Sequence, residues 1–159
     1  MAAEVTVGLD RLAVLNSQQD LNAESKLALR FVVPDEISQR EIRYAELVLE
    51  IPVAPLREDS LFELSLFSLL AVWEEDNIDF ESSEAITDSI LIGTYIVHLG
   101  ESEVFRIDIT PYVKELASGA RSNFGLIAIA DLLGDRNLRV PGNFADAIRQ
   151  SAAVRIVYK

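Results

Sequence analysis

Ala45-Glu46-Leu47-Val48-Leu49-Glu50-Ile51 is the stretch that decides the fold. Ala45, Leu47, Leu49 and Ile51 fall on one side of an extended chain, and Glu46 and Glu50 fall on the other. A period of two marks a strand with one face in a core and one toward water. The same alternation spreads outward. Leu27, Leu29, Phe31 and Val33 share a face before it, and Phe62, Leu64 and Leu66 share one after it, with Glu63 and Ser65 opposite. Further strands are expected over residues 90–99, 104–109, 124–130 and 153–158, and a weaker one over 9–15. About eight strands separated by turn-like clusters predict a β-sandwich or barrel. The expected core is Leu29, Phe31, Leu47, Leu49, Leu64, Leu66, Ile107, Leu126 and Ile156.

One helix breaks the pattern. In Thr110-Pro111-Tyr112-Val113-Lys114-Glu115-Leu116-Ala117-Ser118-Gly119, Thr110 is the expected N-cap, and Pro111 suits the first helical position. Gly119 is the expected terminator. Two turns cannot persist alone, so Val113 and Leu116, three apart, are expected to pack under an end of the sandwich. A second helical turn is expected near residues 144–150.

Composition narrows the function. The chain has 159 residues, 50% of them hydrophobic, which suits a single domain, residues 1–159, with a substantial core. Acids outnumber bases 26 to 14, for a net charge of −12, so nucleic acid is a poor partner. There is no cysteine and one histidine, His98. Disulfides, thiolate metal sites, cysteine nucleophiles and paired-histidine metal sites are excluded. The start, MAAEVTVGLD, shows neither a basic n-region nor an apolar h-region. No apolar run approaches the ~18 residues of a membrane-spanning helix. The expectation is a cytoplasmic chain, or an extracellular or cell-surface one if this is a trimmed mature form.

Two connections are longer. Residues 16–25 are polar and read as a loop. Residues 74–88 carry Glu74, Glu75, Asp76, Asp79, Glu81, Glu84 and Asp88 with no base, which is seven of the acids in one connection. These oxygens could ligate Ca²⁺, although the spacing is not that of an EF-hand loop, and the alternative is a solvated acidic loop. The metal assignment stays open.

The order of segments resembles a known family. Lys26-Leu27-Ala28-Leu29-Arg30-Phe31 is followed by Ala45-Glu46-Leu47-Val48-Leu49, then by Val72-Trp73-Glu74-Glu75-Asp76-Asn77-Ile78-Asp79-Phe80. Phe105-Arg106-Ile107-Asp108-Ile109-Thr110 comes next, with Val113, Gly119 and Asn123-Phe124-Gly125-Leu126, and Ala153-Val154-Arg155-Ile156-Val157-Tyr158 ends the chain. This is similar to the DNRLRE family of carbohydrate-binding-like modules, and more distantly to TGF-β propeptide-type jelly rolls, over about residues 9–158. The resemblance implies a jelly-roll β-sandwich with a short helix after the D-x-T strand. It implies a module that sits beside catalytic or adhesive domains in secreted proteins. It also places Trp73 in a W-x-E corner, as a buried anchor and not a sugar platform. Where the family has Phe-Asp in its first core strand, this chain has Phe31-Val32.

No catalytic or cofactor-binding residue is assigned. His98 with Ser102 and Asp108 could mimic a triad, but no G-x-S-x-G elbow supports it. Two carboxylates could form a glycosidase pair, but 26 acids guarantee accidental pairs. Tyr44, Tyr95, Tyr112 and Tyr158 are further stacking candidates. In Phe124-Gly125-Leu126-Ile127-Ala128-Ile129-Ala130, Phe124 and Leu126 share one face, and Ile127 and Ile129 the other. Phe67 and Leu69 likewise oppose Leu66 and Leu70. Either the protein's own helix or loop covers that second face, or it is a subunit interface. The expected function is a non-catalytic carbohydrate-binding-like or adhesive module of a cell-surface or extracellular assembly, with a glycan as partner. The alternative is a self-assembling subunit of a filament, pilus or shell, joined as a homo-oligomer through residues 124–130.

Overall fold

The computed structural model describes residues 2–16, 26–50, 61–69, 77–79, 90–98, 104–133 and 149–159. In chain order the elements are β1 (Ala3–Gly8), β2 (Arg11–Asn16), β3 (Lys26–Arg30), α1 (Asp35–Ser38), β4 (Ile42–Glu50) and β5 (Leu61–Ser68). They continue with β6 (Asn77–Asp79), β7 (Ile90–His98), β8 (Val104–Asp108), α2 (Thr110–Ser118), β9 (Leu126–Leu133) and β10 (Ala153–Tyr158).

The strands form two sheets, β1-β10-β4-β8 and β6-β2-β3-β9-β5-β7. Setting aside β2 and β6, eight strands remain, and they divide four to a sheet as 1-10-4-8 and 3-9-5-7. Every sequential step between them crosses to the other sheet except β5 to β7. That is the winding of a jelly roll, two Greek keys rolled into a sandwich. β2 extends the second sheet as the antiparallel neighbour of β3, and β6 runs parallel to β2 at the rim. The described strands therefore number ten, two more than expected. β1 is not legible in the sequence, because Val5 and Val7 are its only large apolar residues and all of it is exposed or half-buried. β6 is three residues long and lies inside the acidic connection that read as loop throughout.

One core joins the sheets. Leu29, Leu66 and Leu126 from the larger sheet meet Ala45, Leu47, Leu49, Ile107, Val154 and Ile156 from the smaller one. Phe31, Leu47, Leu49, Ile107 and Ile156 are buried as expected; Leu64 lies in β5, where its side chain is outside the described set.

α2 sits at the end of the smaller sheet, and its start differs from expectation. Thr110 is the first helical residue, not the cap, which is Ile109. Its hydroxyl accepts from the Ala45 N–H at 2.9 Å and lies 2.6 Å from Asp108 Oδ1, which also accepts the Thr110 N–H at 2.9 Å. The Asp108-Ile109-Thr110 sequence thus turns β8 into a helix and clasps that helix to β4. An orphan N–H of the first turn is satisfied by the Asp108 carboxylate. Gly119 ends the helix at φ +77°, as expected. A helical turn at residues 149–151 falls at the end of the second expected helix.

β9 begins at Leu126, two residues later than expected. Gly125 explains the delay: its φ is +100°, and a Cβ there would lie 2.5 Å from the Leu29 carbonyl oxygen. The backbone turns at Gly125, whose carbonyl accepts the Leu69 N–H at 2.9 Å. Only glycine suits a positive φ with a neighbouring backbone this close.

Candidate functional site

The outer face of the smaller sheet is the most built surface among the described residues. Cross-strand register puts Thr6, Arg155, Glu46 and Asp108 in one row across β1, β10, β4 and β8. Side chains two residues away share that face, which adds Glu4, Tyr44 and Arg106. Arg155 donates from Nη1 to Glu4 Oε2 at 2.7 Å and from Nε to Glu46 Oε1 at 2.9 Å. Arg106 Nη1 donates to the same Glu46 oxygen at 2.7 Å. The Tyr44 hydroxyl donates to Glu46 Oε2 at 3.1 Å. A chain of charges, Glu4–Arg155–Glu46–Arg106, therefore spans all four strands.

Glu46 is the centre of this chain and the largest departure from the sequence reading, which had it facing water. Its side chain is 5% exposed, against 60% for Arg106. Burial pushes its carboxyl up, but hydrogen bonds from Arg155, Arg106 and Tyr44 outweigh this and hold it below the usual glutamate range. Tyr44 is pushed up by desolvation and by the Glu46 carboxylate it donates to. Hydrogen bonds to Glu46 and Glu4 push the Arg155 guanidinium up. These shifts hold Glu46 as a carboxylate, Arg155 as a guanidinium and Tyr44 as a neutral phenol. The cluster presents donors and acceptors beside an aromatic ring.

A second feature lies at the end of the sandwich. Val7, Phe31, Val32, Ile109, Tyr112 and Val154 line part of an apolar recess under α2, of about 260 Å³ including its open mouth. Val32 is 52% exposed at that recess. Burial pushes the Tyr112 phenol up to about 12, with Arg121 opposing. Arg121 stands 6.0 Å from the Tyr112 ring centre, bonds Glu115 at 2.6 Å and donates to the buried Ser68 hydroxyl at 2.8 Å. These contacts tie the helix end to β5.

The candidate residues from the sequence are scattered. Tyr44 lies on the outer face of β4, Tyr112 is buried in α2, and Tyr158 packs against the core; Tyr95 lies in β7, with its side chain outside the described set. Trp73 and Ser102 lie outside the described residues. His98 ends β7 in one sheet and Asp108 ends β8 in the other, where its carboxylate serves Thr110. Of the acidic connection, only Asn77–Asp79 is described, as backbone. Among the described residues no group of three or more acids or histidines is placed to hold a metal. No described helix is long and apolar enough to cross a membrane.

On the second face of residues 124–130, Ile127 takes the first of the two alternatives, cover by the protein's own chain, and the side chains of Ile129 and Ala130 lie outside the described set. Ile127 is 1% exposed and its cross-strand neighbour Ala28 is 0% exposed, both within the single chain. β9 lies between β3 and β5 in the interior of its sheet. Ile127 is therefore covered by the protein itself and is not offered to a second copy. Leu69 is buried in the same way, and Phe67 is half-buried.

Compared with known proteins, the chain matches no family model and no curated protein.

Proposed function

We propose that this jelly roll is a non-catalytic carbohydrate-binding-like or adhesive module of a cell-surface or extracellular assembly. The observation that carries the reading is the outer face of the smaller sheet, where Tyr44 stands beside the fixed Glu4–Arg155–Glu46–Arg106 chain. A sugar needs an aromatic edge or face for its C–H surface, and paired donors and acceptors for its hydroxyls. This surface supplies both without reorganisation, because each polar group is already held by a neighbour. The resemblance of the residue order to the DNRLRE family points the same way. Glu46 supports a binding role over catalysis: a carboxylate held by two arginines has no proton to give and is a poor base. A glycan-binding screen followed by titration calorimetry tests the reading. Binding that falls at least tenfold in Tyr44→Ala and Arg106→Ala supports it. Absence of glycan binding, or binding indifferent to both changes, overturns it.

The second reading, a self-assembling structural subunit, is favoured by a separate observation. The smaller sheet ends in a carboxylate at one edge and a guanidinium at the other.

A further inference from the structure

We infer that two copies of this chain join edge to edge through β1, antiparallel about a two-fold axis, so that their four-stranded smaller sheets merge into one continuous sheet. The inference goes beyond the glycan reading: the contact is the edge of the sheet, not its face.

The first support is the direction of the backbone groups. The Ala45 carbonyl accepts the Ile109 N–H at 3.0 Å, and the Ala45 N–H donates to the Thr110 hydroxyl at 2.9 Å, so both point toward β8. By the two-residue alternation of an antiparallel ladder, Glu46 then points to Arg155 opposite it, and Ile156 and Val154 point on to Val5 and Val7. Glu4, Thr6 and Gly8 therefore turn their N–H and C=O groups to the outer edge. Among the described residues β1 pairs with β10 alone. An exposed edge is a template for pairing unless proline, lysine, a bulge or an inward charge guards it. Ala3–Gly8 contains neither proline nor lysine, pairs with β10 without a register shift, and packs Val5 and Val7 against the core. Its one charge, Glu4, lies on the outer face and is paired with Arg155 at 2.7 Å.

The second support is self-complementarity. When β1 pairs with itself antiparallel, outward-turned residues must meet outward-turned residues, because only these exchange hydrogen bonds. The register that sets Glu4 opposite Gly8 and Thr6 opposite Thr6 uses all three outward residues of each strand, and every other register within Ala3–Gly8 uses fewer. It also keeps like charges apart. Glu4 opposite Glu4 would be repulsive, and Glu4 opposite Thr6 would leave the two carboxylates diagonal neighbours, roughly 7–8 Å apart. With Glu4 opposite Gly8 they stand about 13 Å apart along the strands.

The third support is the inner face. The same register sets Val7 of one copy opposite Val5 of the other, in the closer, non-hydrogen-bonded positions. Val7 lines the apolar recess under α2 together with Phe31 and Val32, and Val32 is 52% exposed. Val5 of the second copy therefore comes to the wall of that recess, and the two-fold axis repeats the contact. Val5 and Val7, half-buried in the single chain, both gain cover. The contact uses the same strand on both copies, so it is isologous and closes at two. It is distinct from the open contact that a filament needs.

The test is sedimentation velocity of the full chain over a concentration series, with circular dichroism to follow the fold. Thr6→Pro removes an N–H that points to the outer edge and leaves the ladder to β10 whole. The variant should be a folded monomer at concentrations where the wild type is a dimer. A covalent measurement covers the case in which Thr6→Pro does not fold. The chain has no cysteine, and Cα atoms in a hydrogen-bonded antiparallel pair lie about 5.5 Å apart, within disulfide reach. Under mild oxidation Thr6→Cys should give a covalent dimer and nothing larger. Glu50→Cys, exposed on β4 and away from that edge, should stay monomeric. A wild type that is monomeric at every concentration overturns the inference, as does a dimer that folded Thr6→Pro retains, or a Thr6→Cys chain that cross-links no better than Glu50→Cys. Assemblies larger than a dimer that Thr6→Pro leaves intact overturn it too, and support the structural-subunit reading instead.

Discussion

On the outer face of the smaller sheet, four charged side chains span four strands, and the central one, Glu46, is nearly as buried as the core. On the outer face of the larger sheet, Ala28 and Ile127 sit opposite one another at 0% and 1% exposed. Both are second faces of a sandwich, and each contradicts the simple expectation for such a face. The polar one does not leave all its groups in water, and the apolar one does not present its groups to a partner. Burial at Glu46 is made tolerable by three hydrogen bonds that satisfy its lone pairs. Burial at Ile127 needs only cover, which the protein supplies itself. The difference is why the proposal is placed on the smaller sheet: its outer face is accessible at Glu4 and Arg106, and the larger sheet's face is closed at Ala28 and Ile127.

Charge placed on each face breaks or sharpens this comparison. The largest effect is expected from Ile127→Glu, which puts an unpaired charge in a dry environment and costs about 4 kcal/mol or more. Urea denaturation should find no stable folded state, and a folded variant with near wild-type stability would mean that the face is open. Next comes Gly125→Ala, at the turn that starts the covered strand. The added Cβ meets the Leu29 carbonyl, and the positive φ becomes strained, for a loss of at least about 2 kcal/mol by the same measurement.

On the smaller sheet, Glu46→Gln should cost about 2 kcal/mol, the range for hydrogen bonds to a charged group. The sign of its pH dependence follows from its lowered pKa. Unfolded glutamate binds protons more readily than the folded residue, so stability rises with pH across this range. The contribution is complete above the ordinary glutamate range and is lost as pH falls through the lowered folded value. Thermal melts of wild type and Glu46→Gln should therefore converge on acidification. Curves that stay parallel would mean that the carboxylate is not what the arginines hold. The smallest effect is expected from Thr110→Val, which keeps shape but removes the clasp to Ala45, at about 1 kcal/mol or a melting shift of ~2–4 °C.

The residues also explain how far the sequence could be read. Strand positions such as Ala45, Leu47 and Leu49 are legible because a period of two is local. The helix from Thr110 to Gly119 is legible because Pro111 and Gly119 act at its own ends. The partners of Glu46 are not legible, since Arg106 and Arg155 are 60 and 109 residues distant and meet it only through register. Ile127 raised the right question, because an apolar second face demands cover, but the source of that cover is a long-range property. Thr110 is legible as a helix-start residue, yet its bond to Ala45 crosses 65 residues, so its role as a clasp exists only in the fold.

The comparison rests on side-chain exposure, and hydroxyl-radical footprinting measures that directly. Val104, on the outer face of β8, and Ile127 are both aliphatic, so their labelling can be compared between the native chain and the chain in denaturant. The expected result is strong native protection at Ile127 and weak protection at Val104, at a concentration where the protein is monomeric. Ile127 labelled in the native monomer as readily as Val104 would contradict the account.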